Sequence, residues 1–176
     1  HVDAMITTTD ARADCFESQY GIDKPVVLQN RPRFVRLEKN SILRERLGLE
    51  KDPRPIVIYQ GGIQRGRGLH HIVEAAKEIP EAVFVLIGGG ALAGELKRKV
   101  EELRVKENVK LIDFVPLDKL LKYTASADIG LQLIQNTCLN HYTTDSNKLF
   151  EYIMAGIPVV ASDFPEIRKI VTQYDV

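Results

Sequence analysis

The stretch IVIYQGGIQRGRGLHHIVEAAKEIPEAVFVLIGGG, Ile56 to Gly90, reads as one strand–helix–strand unit. Ile56–Gln60 and Val83–Ile87 are short, mostly apolar runs, as expected for strands covered on both faces. Leu69–Ile79 between them carries apolar residues at helical spacing. The same alternation continues outward in both directions. Further strands are predicted at Ala4–Thr8, Val26–Gln29, Lys110–Phe114, Ile129–Leu133 and Val159–Ala161. Further helices are predicted at Ala11–Tyr20, Ser41–Leu47, Ala93–Leu103, Leu117–Ala125, Asn147–Ala155 and Glu166–Gln173. Alternating strands and helices imply right-handed crossovers and an α/β fold, an open parallel sheet with helices on both faces. Such a sheet binds ligands beyond the carboxyl ends of its strands.

The chain has 176 residues, 44% hydrophobic and 27% charged, the balance of one globular domain. A domain of this length buries about 70% of the surface its unfolded chain exposes. With 24 basic and 24 acidic side chains the net charge is zero, which argues against a general nucleic-acid partner. The longest clean apolar run, Ala82–Ile87, is too short to span a bilayer. The N-terminus lacks the basic-then-apolar profile of a signal peptide. Cys15 and Cys138, the only cysteines, fit a reducing compartment better than a disulfide scaffold and cannot build a zinc site alone. These features predict a soluble, cytoplasmic protein. The chain opens on a strand and stops just after a helix, so it is expected to be a piece of a longer protein.

Three segments carry candidate chemistry. The turn Gly61-Gly62-Ile63-Gln64-Arg65-Gly66-Arg67-Gly68 has four glycines in eight residues, which let backbone approach a ligand closely. Arg65 and Arg67 add donors suited to phosphate oxygens, and the N-terminus of the next helix favours anions. The segment resembles a phosphate cradle but misses the P-loop pattern, because Arg67 and Gly68 replace Lys and Ser/Thr. The alternative is a βα turn with two solvated arginines. Gly88-Gly89-Gly90-Ala91-Leu92-Ala93 matches the dinucleotide fingerprint G-x-G-x-x-A, and Asp113 ends the next predicted strand where a ribose-binding acid would sit. The alternative there is a tight turn that lets the following helix pack closely.

The third segment runs from Asp145 to Asp163. Polar residues open a short helix, Gly156 closes it, and Pro158 leads into a buried strand. Within this helix Glu151 lies among Leu149, Phe150, Ile153 and Met154, so its carboxylate needs a partner. A capping box would need Ser or Thr at the position Lys148 occupies. Helix-dipole complementation and an ion pair with Lys148 are further structural readings. A ligand with paired hydroxyls, such as ribose, would satisfy both carboxylate oxygens.

Lys148-Leu149-Phe150-Glu151-Tyr152 through Ala155-Gly156-Ile157-Pro158-Val159-Val160-Ala161-Ser162-Asp163 resembles the donor-site signature of retaining glycosyltransferases of family 4. Tyr59-Gln60-Gly61 to Arg67-Gly68-Leu69 is similar to that family's G-R-x-x-x-x-K-G loop. Val85–Gly90, Val109–Phe114 and Tyr123–Asp128 follow in the family's order. The resemblance covers the chain from about Val26 to its end. It implies a GT-B architecture, two Rossmann-like domains facing across a cleft. Residues 23–176 are then the nucleotide-sugar donor-binding domain, and residues 1–22 the tail of a missing N-terminal acceptor domain or a linker.

The resemblance also implies roles. Glu151 would hold the donor ribose as the second glutamate of E-x7-E. Arg67, with Arg65, Gly62, Lys148 and the backbone amides of Ser146, Asn147 and Leu149, would meet the diphosphate. Phe114 and Val115 mark where the base is read. Thr143, Thr144 and Asp145 fall beside the sugar. Two positions depart from the family: Thr143 stands where the first glutamate is usual, and Gly62 where the loop arginine is usual, leaving Arg65 as a substitute. The implied reaction is hexose transfer from a UDP- or GDP-linked donor with retention, in surface polysaccharide or glycan assembly. Protein cations would stabilise the leaving group with no metal, consistent with the lack of an Asp-x-Asp motif. The partners implied are a nucleotide sugar and the missing domain, with the full-length enzyme cytoplasmic or at the inner face of the membrane. The isolated chain is expected to transfer no sugar.

Alternative readings are a nicotinamide-dependent dehydrogenase domain, resting on Gly88, Gly90, Ala93 and Asp113, and a non-catalytic nucleotide-binding module. His70 and His71 point to different helix faces and suggest no pairing. His141 and Cys138 sit in a polar loop, where His141 is placed to touch the sugar. Asp163 and Glu166 read as helix-capping residues.

Overall fold

The computed structural model describes residues 3–175. His1, Val2 and Val176, at the two ends of the expected domain division, lie outside the described residues. Five parallel strands form the main sheet: β3 (Ile56–Gln60), β4 (Val83–Ile87), β5 (Val109–Ile112), β6 (Ile129–Gln132) and β7 (Val159–Ala161), in the order β5-β4-β3-β6-β7. Chain order reverses between β3 and β6, so a crevice opens where the two crossovers leave on opposite faces. β3 and β4 are buried along their whole length, the consequence of covering both faces.

Strand alternation divides the core into two layers. Val57, Tyr59, Phe84 and Leu86 face one side and pack against α3 (Leu69–Glu78) and α4 (Ala93–Glu102). Ile56, Ile58, Val83, Val85 and Ile87 face the other, packing with Leu43 of α2 (Ile42–Leu47) and Tyr152 of α7 (Asn147–Met154). α5 (Leu117–Ala125) lies on that second side, against α7. Gly130 is the reason α7 can sit so close: a Cβ there would lie 2.6 Å from the Tyr152 ring. The Tyr152 hydroxyl lies 3.4 Å from the Ile58 carbonyl and 3.2 Å from that of Leu131, bridging β3 and β6.

At the N-terminal end, β1 (Ile6–Thr7) pairs in parallel with β2 (Val26–Val27) as a separate two-stranded sheet. It joins residues on both sides of the expected boundary at residue 22. The intervening α1 (Asp10–Tyr20) packs on α8 (Pro165–Tyr174). Glu166, only 5% exposed, accepts the Ala11 N–H at 2.8 Å and so caps α1 from α8.

Some boundaries move. β1 and β2 are two residues each, shorter than predicted, because a two-stranded sheet supports few ladder bonds. β5 runs Val109–Ile112 rather than to Phe114, which is 80% exposed. A four-residue helix not foreseen from sequence, α6 (Leu139–Tyr142), forms in the loop after β6. No helix among the described residues is long and apolar enough to cross a membrane.

Candidate functional site

The site forms where the turns after β3, β4 and β6 meet the N-terminus of α7. The turn after β3 is held by backbone: the Gly61 N–H donates to Ile87 O at 2.9 Å, and that of Ile63 to Gly89 O at 2.9 Å. Gly88 and Gly90 are explained by the same contact. A Cβ on Gly88 would lie 2.0 Å from the Gly61 carbonyl oxygen, and one on Gly90 2.5 Å from that of Ile63. Both glycines have positive φ, 140° and 155°. Close approach of two turns, not of a pyrophosphate, therefore accounts for this triplet. Asp113 is an exposed residue beyond β5, 3.9 Å from Lys97. The dehydrogenase reading loses its two supports.

Glu151 lies on the inner side of α7 and its Oε2 accepts the Gln60 side-chain amide at 2.5 Å. Gln60 closes β3, is fully buried, and takes the Thr124 hydroxyl on its other amide atom at 2.5 Å. The acceptor-only Glu151 carboxylate fixes the amide nitrogen toward itself, leaving the amide oxygen to Thr124, whose hydroxyl also reaches Leu120 O at 3.0 Å. Among the described residues no hydrogen bond reaches the other carboxylate oxygen, Oε1. Glu151 is the fifth residue of α7, beyond the first turn, so dipole complementation does not explain it.

Lys148, one turn earlier, is not a solvated lysine. Its Nζ lies 5.4 Å from the centre of the Tyr59 ring, and a Cβ on Gly61 would be 3.2 Å from it. Burial and the nearby Arg67 charge lower its pKa to about 8, with Glu151 acting in the opposite sense. Tyr59, pushed up to about 12 by burial, donates its hydroxyl to Gly62 O at 2.8 Å and so braces the glycine turn. Arg67, Lys148 and Glu151 are thus electrostatic neighbours at one edge of the sheet.

Two clefts lie beside the glycine turn; Arg67 and Lys148 line one of them, and Glu151 lines neither. A polar one of about 280 Å³ is lined by Arg67, Thr144, Asp145, Ser146, Asn147 and Lys148. Burial raises the pKa of Asp145 there. An apolar one of about 340 Å³ lies between Gly61-Gly62, Gly88-Gly89 and Phe114-Val115. Gly62, Phe114 and Val115 thus face one space, and Ser146, Asn147 and Lys148 face the other. Ser146 is the N-cap of α7, its side chain making no capping bond, and Leu149 is fully buried, its N–H bonded to Ser146 O at 3.0 Å. Its amide is therefore already paired within the helix and, contrary to expectation, is not free for a diphosphate.

Several expected positions move. Thr143 is 1% exposed; its hydroxyl accepts from Arg12 Nε at 3.1 Å and donates to Leu139 O at 2.8 Å. It is consumed in docking α1 and does not face the polar cleft. Arg65 lines a third cleft on the outer side of the turn rather than the polar cleft, so it does not stand in for the arginine absent at Gly62. His141 packs on Gly66, bonds Thr137 Oγ1 at 2.7 Å, and has its pKa lowered by burial and by Arg67. Asp163 pairs with Arg168 at 2.6 Å at the surface. Gln60 and Gln132 were not foreseen: each is a polar residue ending a buried strand, and that ending is the only signal either offers. Gln132 is fully buried with neither amide atom bonded. Among the described residues no three His, Cys, Asp or Glu side chains group as metal ligands.

The family model described as Glycosyl transferases group 1 matches residues 41–176, which include all the lining of these clefts except Thr8, Arg12 and Asn30 of the polar one. The chain belongs to this family. Its glycosyltransferase relatives include the alpha-D-kanosaminyltransferase of Streptomyces kanamyceticus, 28% identical over 152 residues, 76% of this chain and 39% of that protein. The D-inositol 3-phosphate glycosyltransferase of Xylanimonas cellulosilytica is 27% identical over 136 residues, 74% of this chain and 31% of that protein. The fold matches the crystal structure of Anabaena HepE, solved with UDP and glucose, at a TM-score of 0.80 and 19% identity, covering 97% of this chain and 47% of that one. The chain therefore spans less than half the length of these glycosyltransferases, and its sheet is the Rossmann-like α/β unit of a GT-B structure.

Proposed function

We propose that this glycosyltransferase chain is the donor-binding half of a retaining hexosyltransferase that uses a UDP- or GDP-linked sugar. One observation carries the reading: the Glu151 carboxylate, fixed through Oε2 by Gln60, shares one sheet edge with the Arg67 and Lys148 cations. In this reading Oε1, which no other described group bonds, accepts from a ribose hydroxyl, and the base enters the apolar cleft beside Phe114 and Val115. The diphosphate then meets Arg67, Lys148 and the α7 N-terminus, whose unpaired N–H groups favour anions.

Departure of the nucleoside diphosphate builds negative charge on the phosphates as the glycosidic bond breaks. Two cations in a half-buried site stabilise that charge more strongly than water does. Protein groups can carry this load without a metal ion. The sugar faces Thr144 and Asp145 in the polar cleft. The acceptor-binding half is a separate N-terminal domain of the full-length protein, which acts in glycan assembly in the cytoplasm or at the inner membrane face. The 176-residue chain alone then transfers no sugar.

Calorimetric titration with UDP, GDP and NAD tests this. One nucleoside diphosphate should bind, and Glu151→Ala should abolish or strongly weaken that binding. NAD binding without either nucleoside diphosphate would overturn the proposal.

A further inference from the structure

The two arginines of the glycine turn, two residues apart in sequence, serve different spaces. Arg67 borders both the polar cleft and a third cleft of about 470 Å³ on the outer side of the turn, whereas Arg65 borders only the outer one. Gly66 between them and Gly68 after them both have positive φ, 76° and 68°, so the turn follows a path that other residues rarely adopt. Among the described residues neither arginine lies within ion-pair distance of a carboxylate.

The outer cleft has the chemistry of an oxyanion site. Its floor is apolar, with Leu69 and Leu92 at 2% and 5% exposure. Its walls carry Arg65, Arg67, His70, His71 and Gln135. Among the described residues the only carboxylate lining it is Glu95, which lies 2.7 Å from His70 Nε2. His71 is oriented by Glu74 at 3.2 Å and faces the Gln135 amide at 3.2 Å. Gln135 is tied to the turn by its own N–H, which donates to Gly66 O at 3.0 Å. The cleft is within the size range of small-molecule sites. An unpaired guanidinium over an apolar floor suits a planar or tetrahedral oxyanion.

We propose that this cleft is a second anion subsite, built on Arg65, that receives a phosphate or carboxylate group of the sugar acceptor. It rests on the donor reading only for the word acceptor; the anion site itself stands on the cleft. Arg67 is then the common wall between donor diphosphate and acceptor anion, which places the two substrates side by side.

The test is an NMR titration of the 176-residue chain with inorganic phosphate in saturating UDP, reading arginine Nε–Hε and histidine ring signals. A phosphate response at Arg65 and His71 that survives saturation with UDP is expected. Arg65→Gln should weaken it at least tenfold and leave UDP affinity within twofold, whereas Arg67→Gln should weaken UDP. A parallel titration with acetate separates the sources: response to both assigns carboxylate-bearing acceptors as well, response to phosphate alone assigns phosphorylated ones. Loss of the phosphate response on adding UDP, or an equal loss of UDP affinity in Arg65→Gln, would overturn the proposal. If UDP fails to bind at all, the donor reading fails, and the phosphate response at Arg65 still decides the subsite.

Discussion

Gln60 Nε2 and Glu151 Oε2 are 2.5 Å apart, joining the last residue of a buried strand to a helix ninety-one positions later. The bond aims a carboxylate without touching any ligand. Replacing Gln60 by leucine removes the side-chain partner of Glu151 Oε2, while the Thr124 hydroxyl keeps Leu120 O at 3.0 Å. A group orphaned in this way costs about 1–3 kcal/mol. Thermal unfolding of Gln60→Leu should show that loss, and nucleotide affinity should fall with it. Unchanged affinity in a folded Gln60→Leu protein would separate Glu151 aiming from binding.

Arg67→Ala should weaken UDP or GDP by tenfold or more and the corresponding nucleoside by less than twofold. A charge-assisted hydrogen bond is worth about 1.5–3 kcal/mol, and the nucleoside lacks the phosphates that use it. Equal losses for both ligands would refute a phosphate role for Arg67.

Lys148 gives the site a pH dependence of known sign. Its pKa in the free protein is lowered to about 8, by burial and Arg67. A bound diphosphate favours the charged amine and raises that value. Binding should therefore be full below about pH 8, weaken as pH rises from there toward the bound-state pKa, and be accompanied by proton uptake in that window. Calorimetry in buffers of different ionisation enthalpy reads the uptake directly. Lys148→Met should bind more weakly at pH 7 and lose the slope between pH 8 and about pH 10.

Glycines in the chain divide sharply in their tolerance. Gly88→Ala must displace the Gly61 carbonyl, 2.0 Å from the new Cβ, in a backbone region alanine rarely enters. A loss of more than about 3 kcal/mol is expected, with the glycine turn displaced. Gly94→Ala, inside α4 with only the tip of Arg98 at 4.0 Å, should stabilise by about 0.5–1 kcal/mol. Chemical denaturation of the two variants checks both signs.

β3 and β4 were legible because fully buried apolar runs that end on glycine carry a strong signal, whereas β7, expected to be buried, is half-exposed with Val160 at 52%. Predicted β3, β4 and β7 coincide with those observed. The short α6 was not, since its four residues Leu139-Asn140-His141-Tyr142 complete barely one turn and show no period. Glu151 stood out as one carboxylate in an apolar helix face, and the fold sets it against Gln60 at the end of β3. Its partner Gln60 did not stand out, because contacts between distant strand ends leave no local pattern. Thr143 was misplaced for the related reason that a motif fixes position along the chain and not the direction of a side chain. Arg65 was expected to substitute for the arginine absent at Gly62, but only Arg67 reaches the polar cleft, a difference that spacing along the chain does not carry.

Tyr152 hydroxyl contacts with both Ile58 and Leu131 have a mechanical consequence for its neighbour. The ring is wedged against Gly130, so α7 cannot slide along its axis or roll about it without unseating a fully buried aromatic. Glu151 inherits that immobility through a single peptide link. Any shift of α7 must then carry the ends of β3 and β6 with it, because Tyr152 ties the helix to both strands.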